Sequence, residues 1–161
     1  MKGGVRSDEP AQDPGICIGI AGLVDLHSVT ASLFVPVLAV AAEELIASGT
    51  ETPLRQRFFV VLEELFNNVA LHAYKDQPEA GTVRLAIKAS QDYVELTVMD
   101  QGPPFDLTTY DDANRLQRLE NFQPGGAGIF LVKTLSSALA YRRENGWNIV
   151  TSVMELPPSE A

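Results

Sequence analysis

The stretch Phe58–Tyr74, FFVVLEELFNNVALHAY, decides how the chain is read. No proline or glycine interrupts it, and Leu, Glu, Phe and Ala recur through it, so it is expected to be helical. At 100° per residue, Phe58, Phe59, Val61, Leu62, Leu65, Phe66, Val69, Ala70 and Ala73 fill one broad arc suited to a core. Along the border of that arc run Glu64, Asn68 and His72, spaced i, i+4 and i+8. A carboxylate, an amide and an imidazole there would line the rim of a cleft, partly desolvated, where such groups take on chemical work. Each alone suits a solvated helix face equally well, or, for His72, a hydrogen-bonded core position. Glu63 and Asn67 repeat the spacing on the opposite border. Spacing does not choose between the stripes, but only the Glu64 stripe has a third member, His72.

Upstream of this helix, Thr52-Pro53 reads as an N-cap followed by proline at the first helical position. Ala31–Ser48 reads as an earlier helix ending at Gly49, in which Pro36 fits only in the first turn or at a kink. Its exposed face has little polar character and suits either core burial or pairing with a second copy or a partner. Ile16–Leu23 is a glycine-weakened first strand, and Met1–Gly15 has the composition of a disordered segment. Downstream, Thr82–Ala89 and Tyr93–Asp100 alternate as strands, with Val83, Leu85, Ile87, Val94, Leu96 and Val98 inward. The parity carries on to Asp100, so a carboxylate sits on the core side of a strand end and needs a donor. Leu107–Gln123 is a long polar connection of the kind that forms lids. Gly125-Gly126-Ala127-Gly128 runs into a helix in which Ile129, Val132, Leu135 and Leu139 share a face. A strand at Ala140–Arg143, an Asn145-Gly146 hairpin turn and a last strand Trp147–Leu156 follow, then a polar tail, 157–161. The expected architecture is α+β: one domain over 16–156, a two-layer sandwich with helices on one face of a mixed, mostly antiparallel sheet.

Composition narrows the function classes. A chain of 161 residues with 45% hydrophobic residues holds one domain with a real core. Its net charge of −9 opposes sequence-independent binding of nucleic acid through phosphates. A single cysteine, Cys17, forms no internal disulfide, and no Cys/His cluster has zinc spacing. With no apolar signal-like start and no run near the ~20 residues of a membrane span, a cytoplasmic, reduced location is expected.

Two further segments bear on chemistry. Glycines entering a helix present free N–H groups and a positive dipole end to an anion, and let it approach closely. Taken alone, they serve turning equally well. Asp100-Gln101-Gly102 is either a plain strand end and turn, or an acceptor for an exocyclic amine beside a glycine against which a flat ring can lie. Combined with the helix stripe, they outline a nucleotide site in which one amide oxygen plus phosphates suffices for magnesium.

In order and wording these motifs resemble the GHKL (Bergerat-fold) ATPases, and among them most closely the bacterial anti-sigma-factor serine/threonine kinases. Glu64-x-x-x-Asn68-x-x-x-His72-Ala73-Tyr74 is similar to their N box, Asp100-x-Gly102-x-Pro104-Phe105 to the first glycine box, and Gly125-Gly126-x-Gly128-Ile129 to the second. Tyr141…Gly146-x-Asn148 is similar as well, and the likeness spans Leu33–Leu156. It implies ATP and Mg2+ as cofactors, with Asn68 as the metal ligand and His72 beside it at the nucleotide. Glu64 is implied as the general base, Asp100 as the reader of the adenine amine, and Gly102, Pro104 and Phe105 as its pocket. Gly125, Gly126, Gly128 and Ile129 form the implied phosphate loop. The implied partners are an anti-anti-sigma (STAS) protein as substrate and a sigma factor. Relatives often carry an arginine before the glycine pair. Here Gln123-Pro124 stand there, so charge near the γ-phosphate would come from Arg115, Arg118 or Lys133. The alternatives are a nucleotide-binding regulatory module that switches partners without transfer, and a plain interaction domain.

Overall fold

The computed structural model describes residues 17–19, 23–27, 34–74, 81–110 and 127–157. Helix α2, Thr52–Asn68, is the expected central helix, and it buries Leu54, Phe58, Val61, Leu62, Leu65 and Phe66. Its N-cap is Glu51, one residue before the expected Thr52, so Pro53 occupies the second helical position. Proline is tolerated in this first turn because its missing N–H would have had no intrahelical partner. Helix α1, Phe34–Ala47, has Pro36 in its first turn and ends in a Schellman motif. Thr50 N donates to Leu45 O, Gly49 N donates to Ile46 O, and Gly49 takes φ +69°.

The sheet has six strands in the order β1-β2-β3-β4-β6-β5, and every described pairing is antiparallel. The expected strand Ile16–Leu23 is instead two short strands, β1 Cys17–Gly19 and β2 Leu23–His27, paired antiparallel. Glycine weakens a strand interior, which disfavours one continuous strand here. Strands β3, Thr82–Ala89, and β4, Tyr93–Asp100, have the expected bounds and parity. Val83, Leu85, Ile87, Val94, Leu96 and Val98 are buried beneath the helices. β5, Ala138–Glu144, and β6, Trp147–Glu155, join through Asn145-Gly146, whose φ values of +50° and +83° are those of a primed hairpin turn.

Helix α3, Ala127–Leu135, stops before Leu139, which lies in β5. Ser136 Oγ donates to Val132 O at 2.6 Å, and Ser137 N already donates to Val153 O across the sheet. The i+4 step from Leu135 to Leu139 suits an inward strand position as well as a helix face, and the paired serines end the helix between them. Val37, Ala41 and Leu45 of α1 and Val132 of α3 join the α2 face to close one core over the sheet.

After Asn68 the helix widens into a π turn, Val69–Ala73, with Tyr74 N donating to Val69 O. The wider turn breaks the simple i+4 stripe at its last step, and such turns concentrate at functional sites. Tyr74 then ties three segments together: its hydroxyl donates to Thr82 O at 2.7 Å and accepts from Gln101 N at 2.7 Å. Tyr74→Phe takes the acceptor from Gln101 N and removes the hydrogen bond to Thr82 O, so it should cost about 1–3 kcal/mol of stability, measured by urea unfolding.

Candidate functional site

A cleft of about 190 Å³ opens where the π turn of α2 meets the ends of β4 and β6. Asn68 and His72 line it from the helix side; Asp100, Pro104 and Phe105 line it from the strand end. The first two motifs therefore meet, as expected. Asn68 and His72 of the one stripe line the cleft, while Glu63 and Asn67 of the rival stripe are not among its lining residues.

Asp100 is 7% exposed. Its Oδ1 accepts from Gly102 N at 2.8 Å and from Asn148 Nδ2 at 2.9 Å, so the donors expected for a buried carboxylate are present. Among the described residues Oδ2 accepts no hydrogen bond. Burial pushes the Asp100 carboxyl above the ordinary aspartate range; the Asn148 and Gly102 hydrogen bonds and the nearby Arg143 charge pull against it. Gly102 is buried beneath the cleft rather than lining it. A Cβ on Gly102 would come within 2.6 Å of Ala73 Cβ, so glycine here lets the strand end lie against the π turn. Phe105 is 41% exposed and packs its ring 6.2 Å from that of Tyr110.

Glu64 lies outside the cleft lining, one helical turn before Asn68. Its carboxylate packs on the first turn of α3: a Cβ built on Gly128 would overlap Glu64 Oε2. The third motif thus reaches the first through Glu64 and Gly128. Burial raises the Glu64 carboxyl above the ordinary glutamate range, and the neighbouring Glu63 charge adds to the shift. Ile129 is half-buried and packs against the core rather than on the cleft. Gly125 and Gly126 lie outside the described residues, as do Arg115 and Arg118. Lys133 Nζ donates to Tyr110 O at 2.6 Å, which ties α3 to the chain leaving the strand-end loop.

Asn148, which enters the sequence reading only as the last residue of the closing Tyr141…Gly146-x-Asn148 likeness and with no role of its own, belongs to the site. It is 3% exposed, opposes Asp100 in the β4–β6 register and lines the cleft. Parity carried through the last strand finds it, since Asn148, Val150, Ser152 and Met154 all point inward. An amide at such a position demands partners just as Asp100 does.

A nucleotide fits these residues. Among the described residues Asp100 keeps an unused acceptor at a largely apolar cleft, which Asn68 lines as well. Among the described residues no group of three or more His, Cys, Asp or Glu could hold a metal ion. One amide oxygen beside phosphates matches the way magnesium is held. No described helix is long and apolar enough to cross a membrane.

The chain is similar to several known proteins. The serine/threonine-protein kinase BtrW of Bordetella bronchiseptica is 31% identical over 117 residues, covering 71% of this chain and 82% of that protein. The serine-protein kinase RsbW of Staphylococcus epidermidis is 29% identical over 97 residues, 56% of this chain and 59% of that protein, so the chain spans about three-fifths of that relative. A chain of the SiaB–SiaC complex of Pseudomonas aeruginosa superposes with a TM-score of 0.59 at 15% identity, covering 82% of this chain and 88% of that one, a likeness of fold alone. The histidine kinase-like ATPase domain model matches residues 27–154, most of the length that carries the helices, the sheet and the cleft, and the chain belongs to that family.

Proposed function

We propose that the chain is an ATP-dependent serine/threonine protein kinase of the anti-sigma-factor type, acting on an anti-anti-sigma (STAS) protein and sequestering a sigma factor. The observation that carries this reading is the run of groups from Asp100 through Asn68 to Glu64. Asp100 Oδ2 takes the adenine amine at the strand end, and Pro104 and Phe105 cover the ring. The phosphates would extend past His72 and Asn68 toward the start of α3, where Gly128, Ile129 and the two glycines before Ala127 would supply N–H groups to them. Bound magnesium, held by Asn68 and phosphate oxygens, would neutralise charge on the phosphates. Glu64 lies about 6 Å along the helix from Asn68, a separation set by four residues of rise. It accepts the proton of the substrate hydroxyl as that oxygen bonds to the γ-phosphorus and ADP departs with the bridging oxygen. Transfer of this kind is chiefly positioning and charge neutralisation, so the short inventory is enough. The exposed side of α1, where Ile46 is 63% exposed, is the surface offered to a second copy or to the sigma factor.

Incubation with γ-labelled ATP and a STAS partner tests the reading. Label on a partner serine or threonine supports it. An ATP-induced thermal shift without labelling leaves a nucleotide-binding switch instead, and no shift leaves an interaction domain.

Glu64 works as a base only when ionised, so transfer should fall as pH drops through its raised value. Glu63→Gln removes the like charge and lowers that value, moving the acid limb of the rate profile to lower pH. The movement is partial, because burial is the larger cause and remains. A rate profile identical to that of the unaltered chain would show that Glu64 does not control the limb.

A further inference from the structure

Asn148 is hydrogen-bonded across the whole strand-end site. Its Nδ2 donates to Asp100 Oδ1 at 2.9 Å, to Pro103 O at 3.0 Å and to Gly102 O at 3.3 Å. Its Oδ1 accepts from Arg143 Nη1 at 2.7 Å and from Tyr141 OH at 2.9 Å. Arg143 Nη1 also donates to Gly102 O at 3.1 Å. Both ends fix the amide: turned over, it would set its oxygen against a carboxylate and two carbonyls, and its NH2 against a guanidinium. An amide has two hydrogens and one oxygen to share, and here every one of them is engaged.

This anchoring decides what Asp100 presents to the cleft. With Gly102 N–H and Asn148 both on Oδ1, Oδ2 is left as a bare acceptor. A bare acceptor welcomes an amine and repels a carbonyl oxygen. We infer that Asn148 is a specificity-determining positioning residue, holding Asp100 so that the cleft accepts a 6-aminopurine and rejects a 6-oxopurine. The inference rests on the nucleotide reading above and deepens it. Without Asn148, the buried carboxylate loses a donor it needs. It then rotates toward Gly102 and Arg143 or takes a proton, and a protonated carboxyl can donate to a 6-oxo group.

The test is calorimetric titration of the full chain with ATP and with ITP, in magnesium buffer, for the unaltered protein and for Asn148→Leu. The unaltered chain should favour ATP by about 100-fold, as expected where a buried charged acceptor is matched or left opposed. Asn148→Leu should lose about 10-fold or more in ATP affinity while ITP affinity holds or rises, so that the ratio collapses. Equal losses for both nucleotides would mean that Asn148 only supports the fold, and would overturn the inference. An unaltered chain that binds both nucleotides alike would overturn it too. Binding of neither by the unaltered chain would sink the nucleotide reading itself, a visibly different result. If circular dichroism shows Asn148→Leu unfolded, Arg143→Met decides. Arg143 is exposed, and its loss frees one end of the Asn148 amide, so the ratio should fall in the same direction by a smaller factor; an unchanged ratio would count against the inference.

Discussion

Asp100→Asn is expected to bind ATP about 10- to 100-fold more weakly than the unaltered chain, and to bind ITP better than the unaltered chain does. The size follows from losing a charge-assisted hydrogen bond in a buried setting, about 1.5–3 kcal/mol. The direction of the specificity change follows from the two donors already on Oδ1, Gly102 N and Asn148 Nδ2. They hold the new amide with its oxygen toward them, which turns its NH2 into the cleft. A donor then faces the base where an acceptor stood, opposed to the adenine amine and matched to a 6-oxo group. Folding should not suffer, because asparagine removes a buried charge that burial disfavours and keeps both inward hydrogen bonds. Isothermal titration with the two nucleotides reads both effects at once. Undiminished ATP affinity in this variant would remove Asp100 from the site.

Much of this was legible in the residues. Alternation fixed β3 and β4 to the residue, because a strand with one buried face cannot slip without turning that face out. The arc of α2 named its buried residues, and parity alone marked Asp100 as a buried carboxylate in need of donors. Other features depended on contacts that periodicity does not encode. The π turn at Val69–Ala73 leaves no mark in composition, since Ala73 reaches Gly102 only in three dimensions. Leu139 satisfied a helical spacing and a strand position equally, and the outcome turned on serine hydroxyls that favour a helix end. Asn148 was within reach, yet its meaning came only from the register that sets it opposite Asp100. Spacing leaves Gly128 as a residue for a turn or for phosphate. Its contact with Glu64 needed the packing of α3 on α2.

That contact yields the prediction with the largest effect. Glu64→Ala should reduce phosphoryl transfer by about 10²- to 10⁴-fold, the usual worth of a positioned base, and leave ATP affinity nearly unchanged, because Glu64 does not line the cleft. Gly128→Ala should reproduce the loss of transfer, by about 100-fold, even though alanine keeps the same backbone N–H. The added methyl occupies the space of Glu64 Oε2, and the end of a flexible side chain yields before a helix backbone does. In the proposed reaction the carboxylate would therefore be displaced from the hydroxyl it is to deprotonate. The two substitutions should not multiply: Gly128→Ala in the Glu64→Ala background should slow transfer no further. Stability should expose the same coupling with the opposite sign. With Glu64 removed, the methyl has room, and alanine in place of glycine within a helix stabilises by about 0.5–1 kcal/mol; with Glu64 present, that gain is offset by the displaced and partly buried carboxylate. Transfer rates from single-turnover labelling, together with urea midpoints for the four proteins, complete the cycle. Multiplicative losses of transfer would mean that Gly128 acts on the phosphates independently of Glu64, and that the glycine is there for the nucleotide rather than for the base.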